Sequence, residues 1–369
     1  MKKQYVLFFG AAVILAGVCA ACNPENKGEP SRIRSVVDTV GFAHRASQMD
    51  SVMARIIRYQ QPLLQQAEDR AQITAQTTWK LVISPHDDYI YAGYLYPAAL
   101  RNVRAKTLIL FGVAHKARTL GLQDQIIFDG FDAWQGPYGP IKVSSLREQL
   151  TGLLPDSLYQ INDTMQAMEH SLEALLPFLQ YYHRNIEIVP VLVPYMSYER
   201  MDRIAPLLAG AINRLSREKG WRWGKDFALI ISNDAVHYGD KNWGGKNFAR
   251  YGADSSGYGK ALQHEEEIIR TCLTGSPAAP KVKHFTEYTV QKDDYKQYKW
   301  TWCGRYALPF GLLTAYYLQK EQNTKIKGRL IGYGTSIAQK PLPVRDLGMG
   351  ITAPANIRHW VGYVAVGYE

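Results

Sequence analysis

Short, unbroken apolar runs alternate along the chain with stretches of helical spacing. Leu81-Val82-Ile83, Thr107-Leu108-Ile109-Leu110-Phe111, Ile186 to Val193 and Phe227-Ala228-Leu229-Ile230-Ile231 lack the polar alternation of half-exposed strands, so they read as strands covered on both faces. Between them Met49, Val52, Met53, Ile56 and Ile57 recur at three- and four-residue intervals, predicting a helix within 47–67. Leu172, Leu175, Leu176 and Leu179 predict a second over 168–182. The segments 198–219, 261–273 and 307–320 read the same way, and 326–333 and 360–367 read as late strands. Between 126 and 143, Asp129-Gly130, Gly136-Pro137 and Gly139-Pro140 separate short apolar pieces, as in a hairpin or extended loop. Strands alternating with helices predict a single α/β domain with a mixed central sheet flanked by helices.

The N-terminus follows a different rule. Lys2 and Lys3 precede an apolar run from Tyr5 to Val18 that is too short to span a bilayer. Small residues then lead to Cys22. The order basic, apolar, small, cysteine is that of a signal peptide and resembles a bacterial lipoprotein signal with Cys22 as the lipidated residue. Cys19, at the position three before Cys22, departs from the usual leucine. The expected organisation is a leader over 1–22, a polar tether over 23–35 and one domain over 36–369. The expected location is the cell envelope, lipid-anchored or periplasmic.

The formal charge of +10 includes Lys2 and Lys3. The excess is dispersed, with no block of like charge to form a nucleic-acid arm, so no nucleic-acid partner is expected. If Cys22 is acylated, Cys272 and Cys303 are the remaining thiols of the mature chain. In an oxidising compartment they either pair or serve separate ends.

Three histidines share one context. His86, His115 and His237 each follow an apolar strand run, and ligands bind open α/β sheets outside the carboxyl ends of strands. Imidazole and thiolate are transition-metal donors, so these three and Cys303 are candidates for one rim. Asp234, three residues before His237, is suited to orient an imidazole. Glu169-His170 opens a helical segment, where an acidic residue is either a helix-start feature or a neighbour of the site. Tyr89 is the tyrosine expected to line the pocket. His44, His183, His264, His284 and His359 lack such a context and read as surface or packing residues.

Several motifs occur in register: Pro85-His86-x-x-Tyr89-x-Tyr91-x-Gly93, Gly112-x-x-His115, Glu169-His170-Ser171-Leu172-Glu173, Val189-Pro190, Ser232-x-Asp234-x-x-His237-Tyr238-Gly239 and Cys303-Gly304-Arg305. Together they resemble the MEMO family, also called AmmeMemoRadiSam system protein B, from about Leu81 to the last strand. That family is similar in fold to class III extradiol dioxygenases. The resemblance implies that His86 and His115 are metal ligands. It implies that Cys303 stands where the dioxygenases carry a glutamate ligand, and that His237 stands where they carry an acid/base.

Two departures matter. Asp87 and Asp88 replace the usual Ala-Gly after the first histidine, placing carboxylates beside a ligand position. Val113, Ala114 and Lys116 alter the second motif, and a cation at Lys116 either opposes a metal charge or pairs with Asp87 or Asp88. The expectation is a metal-binding envelope protein holding iron(II), with copper or zinc as alternatives, and a small molecule or peptide in the cleft. An extradiol-type dioxygenase acting on a catechol-like substrate is the second expectation. It would use His86, His115 and a carboxylate from Asp87, Asp88 or Asp234. A non-catalytic binding module is the third.

Overall fold

The computed structural model describes residue 1 and residues 31–369. Cys22 and the expected leader lie outside the described residues. The strands are β1 (Ile33–Arg34), β2 (Leu81–Ser84), β3 (Thr107–Val113), β4 (Ile126–Phe128), β5 (Ala133–Gly136), β6 (Gly139–Val143), β7 (Tyr159–Ile161), β8 (Glu187–Val193), β9 (Phe227–Ser232), β10 (Asp234–Gly239), β11 (Gly328–Thr335) and β12 (His359–Tyr368). They form a twelve-stranded mixed sheet whose main path runs β1-β5-β6-β8-β3-β9-β2-β12-β10. The centre, β8-β3-β9-β2, is parallel.

Both faces of this centre are covered, which is why its strands carry no polar alternation. Leu81, Ile83, Ile109, Phe111, Leu229 and Ile231 enter one core, shared with Ile204 and Leu208 of the helix Tyr198–Glu218 and Leu312 and Leu313 of the helix Ala307–Glu321. Val82, Leu108, Leu110, Ala228 and Ile230 enter the other, against Met49, Val52 and Ile56 of the helix Ala46–Arg70. Successive side chains of one strand thus divide between two layers. The unit runs from Arg32 to Glu369. Among the described residues, no helix is long and apolar enough to cross a membrane.

β12 organises the functional rim. Its C-terminal half pairs with β2, through Val366 opposite Ile83 and Tyr368 opposite Leu81. Its N-terminal half pairs with β10, through Asp234 opposite Tyr363 and His237 opposite Val361. One antiparallel rail therefore sets β10 in line above β2. Asp234 and His237 lie on a separate strand rather than simply closing the run Phe227–Ile231, because the chain leaves β9 at Asn233 to join β12.

Other expectations change. The end of the expected tether packs into the domain: β1 pairs with β5, and the buried Arg34 guanidinium meets Glu173 at 2.7 Å. The single helix expected over 168–182 is realised only as a 3-10 turn at Glu173–Leu175 and a helix at Leu176–Tyr182, and a separate short helix, Asp163–Ala167, precedes the irregular residues 168–172. The break is chemical. The Glu169 carboxylate takes the backbone N–H groups of His170 and Ser171, each at 2.9 Å, and Ser171 Oγ donates to Val113 O at 3.0 Å. Such local bonds compete with helix. Of the segment 126–143, β5 and β6 make the hairpin, whereas β4 pairs with β7 and β8. The helix Ala279–Thr289 carried no clear spacing signal.

Candidate metal centre

His86 follows β2 and is buried. Its ring is held from behind: Nδ1 lies 2.8 Å from Ser232 Oγ, and that hydroxyl donates to Ser171 O at 2.5 Å. A hydroxyl that donates elsewhere accepts from Nδ1–H, which leaves Nε2 as the free lone pair. Nε2 points at Cys303 Sγ, 3.3 Å away, and lies 3.4 Å from Asp234 Oδ2.

His115 follows β3 and is held in the same manner. Its Nδ1 lies 2.9 Å from Glu169 Oε1, and its backbone N–H donates to Glu169 Oε2 at 2.7 Å. Gly112 makes this approach possible, since a Cβ there would stand 2.6 Å from Leu172 Cγ. Burial pushes the Glu169 carboxyl up, but the imidazoles of His115 and His170 and the Ser171 N–H outweigh it and hold it at about 2. A fixed carboxylate behind an imidazole sets its tautomer and raises its basicity at the other nitrogen. The His170 ring stacks on His115, with centroids 4.8 Å apart.

Cys303 sits in the turn before the helix Ala307–Glu321. The next residue, Gly304, tolerates no side chain: a Cβ would stand 2.0 Å from Asn233 Oδ1. Cys303 Sγ accepts the Asp234 N–H at 3.2 Å. Cys272 and Cys303 are both free thiols, so among the described residues no disulfide competes for the sulfur. Burial, then the Asp234 carboxylate, pushes the Cys303 thiol well up.

One donor atom each from His86, His115 and Cys303 lie within 4.8 Å of one another, and so do one each from Asp234, His237 and Cys303. Two ligands about a common tetrahedral ion stand roughly 3.5 Å apart, comparable with the His86–Cys303 separation. The donor set suits a borderline or soft transition ion. His237 Nε2 is buried, with no hydrogen-bond partner among the described residues. Burial lowers His86 well below the usual imidazole range and His237 to about 3, so both are neutral at physiological pH, the state a ligand or proton acceptor requires.

His86, His115, His237 and Asp234 face a cavity of about 220 Å³, lined also by Asp38, Phe42, Asp87, Asp88, His170, Trp243 and Thr352, with Cys303 buried behind them. Phe42, Asp38 and Trp243 carried no sequence signal. They reach the site through tertiary packing alone, Trp243 lying 5.3 Å from the His237 ring. Asp88 has a structural partner, accepting Thr352 N–H at 2.6 Å and Thr352 Oγ1 at 3.1 Å. Burial pushes Asp87 up to about 6. Burial and then the Asp87 charge push Asp88 up to about 8.

Two expectations are corrected. Tyr89 does not line the cavity; it is fully buried, and its hydroxyl donates to Ala174 O at 2.5 Å within a cluster of Phe42, Tyr96 and Phe178. It is an apolar residue with one polar tip to satisfy, not a rim residue. Lys116 is exposed and makes no ion pair with Asp87 or Asp88 among the described residues. The turn that presents His115 carries the ammonium into water. His359, expected at the surface or in packing, is buried and stacks on Trp243 with centroids 3.7 Å apart.

A family profile described as Memo-like protein matches residues 50–340. The chain belongs to the Memo-like family. It is similar to a MEMO1 family protein of Methanosarcina barkeri, 29% identical over 43% of this chain and 55% of the relative. A MEMO1 family protein of Aquifex aeolicus is 30% identical over 43% of this chain and 54% of the relative. The chain thus spans about half the length of the curated relatives it matches. The Memo-like match covers His86, His115, Glu169, Asp234, His237 and Cys303.

Proposed function

We propose that this Memo-like protein binds one transition metal ion through His86, His115 and Cys303, with iron(II) the leading ion and copper or zinc the alternatives. The observation that carries this reading is the anchoring of both imidazoles. Ser232 holds His86 at 2.8 Å and Glu169 holds His115 at 2.9 Å, each through Nδ1, so each leaves Nε2 for an ion. A bound iron or copper ion would supply one-electron chemistry and O₂ reactivity. Around it, His237 serves as proton acceptor or donor for a molecule in the cavity, through its free Nε2. Asp234 orients His86, accepting its backbone N–H at 2.9 Å. His170, Asp87 and Asp88 line the cleft, which admits a small molecule or a peptide side chain.

The leader pattern supports placement at the cell envelope, anchored by lipid at Cys22. Replacing Cys22 with Ser would then release the protein from the membrane fraction. Metal content of the purified protein, measured beside a His86→Ala variant, tests the binding reading. About one equivalent in the wild type and a small fraction in the variant supports it, whereas equal content in both overturns it.

A second reading has one observation in its favour. Asp234 Oδ2 stands 3.4 Å from His86 Nε2, close enough for the carboxylate, rather than the thiolate, to complete a two-histidine, one-carboxylate set of dioxygenase type. Aerobic turnover of catechols by the Fe(II)-loaded protein, retained in Cys303→Ser and lost in Asp234→Asn, is the result that selects it.

A further inference from the structure

Asp234 and His237 line the same cavity although they stand three residues apart on one strand. In a regular strand that spacing puts two side chains on opposite faces. The ladder shows how they meet. Asp234 pairs with Tyr363 and His237 with Val361, so three steps along β10 are matched by two along β12. One extra residue makes a β-bulge, which re-aims the side chains beyond it.

A bulge leaves a backbone donor out of the ladder. The Val236 N–H donates instead to Glu265 Oε2 at 3.2 Å. Glu265 comes from the helix Ser255–Ile268 and is fully buried. The same carboxylate accepts the Trp302 indole N–H and the Trp300 indole N–H, both at 2.6 Å on Oε1, and the Tyr333 hydroxyl at 3.2 Å on Oε2. Val236 adjoins His237, and Trp302 adjoins Cys303. The two segments also touch directly: the His237 N–H donates to Thr301 O at 3.0 Å.

We propose that Glu265 is a positioning residue of the metal centre, which fixes the bulge in β10 and the Cys303 turn to one point and so sets the spacing of His237 and Cys303. This rests on the reading of Cys303 as a ligand. Glu265 touches neither cavity nor ligand and acts only through Val236 and Trp302. Burial pushes its carboxyl up, and the four donors pull it back only part of the way, to about 7. All four partners bring a hydrogen, so the acceptor-only carboxylate is the form that satisfies them. In Glu265→Gln the NH2 faces donors, and either the indole pair or the Val236 and Tyr333 pair loses its acceptor.

Two readouts on the full chain test this. In metal-free protein, iodoacetamide alkylation of the Cys303 peptide is followed by mass spectrometry. Glu265→Gln is expected to raise its rate about 10-fold or more, because a turn without its anchor opens locally more often and exposes the buried thiol. Leu208→Ala, a core truncation with a comparable loss of melting temperature, is expected to leave it unchanged. In Co(II)-loaded protein, Glu265→Gln is expected to weaken or shift the thiolate-to-metal absorption. A folded Glu265→Gln with wild-type alkylation rate and spectrum overturns the proposal. If that variant does not fold, Trp302→Phe, which deletes one donor and keeps an aromatic ring, is judged by the same criteria. A wild type without the thiolate absorption contradicts Cys303 as a ligand, and the alkylation rate then decides the role of Glu265 alone.

Discussion

Glu169 grips His115 twice, accepting its backbone N–H at 2.7 Å and its Nδ1 at 2.9 Å. The two bonds fix the direction of the residue as well as its tautomer. Glu169 is itself held by the N–H groups of His170 and Ser171, so a segment that breaks its own helix supplies a rigid support.

Removing that support leaves buried donors without an acceptor and frees the ring. Glu169→Ala is expected to weaken metal binding by about 10- to 100-fold, measured by competition with a chelating dye. It should also lower stability by roughly 1–3 kcal/mol. Glu169→Gln keeps one acceptor oxygen and is expected to fall between. Wild-type affinity in Glu169→Ala would show that His115 needs no anchor.

Tyr89 gives the opposite expectation. Its hydroxyl satisfies Ala174 O inside the core, so Tyr89→Phe should lower unfolding stability by about 1 kcal/mol and leave metal stoichiometry and affinity unchanged. A change in metal binding at unchanged stability would return Tyr89 to the cavity wall.

His237 predicts a pH effect on the metal-free protein. Burial lowers its folded value to about 3 from the ordinary 6.5. Between those limits the unfolded chain binds a proton that the folded chain excludes, so the His237 contribution is complete above pH 6.5 and is lost on acidification. Relative to His237→Gln, the wild type should lose about 1.4 kcal/mol per pH unit within that window. Urea denaturation at pH 7, 6 and 5 measures the difference. Parallel stability curves for the two proteins would place His237 in water.

The sequence made much of this legible for identifiable reasons. The central strands are covered on both faces, so Leu108 to Phe111 and Ala228 to Ile231 announce themselves by composition. His86 and His115 follow those strands, where a parallel sheet gathers its ligands. What escaped depends on contacts distant in sequence. The break at Glu169 arises because its carboxylate is committed to His115, and leucine spacing carries no trace of that. The bulge between Asp234 and His237 is a matter of pairing with β12. Phe42 and Trp243 are single aromatics in irregular segments, with no periodicity to mark them. Tyr89 lies in the core although it is three residues from His86, since closeness in sequence is not closeness to the cavity.

Anaerobic Fe(II) titration of the wild type beside His86→Ala, His115→Ala, Cys303→Ala and His237→Ala, with bound metal counted after gel filtration, reaches the central claim most directly. About one equivalent retained by the wild type and by His237→Ala, with most of it lost in each of the other three, is the expected result, because on the proposed reading His86, His115 and Cys303 alone hold the ion directly. Retention of a full equivalent by all three of His86→Ala, His115→Ala and Cys303→Ala would contradict the site.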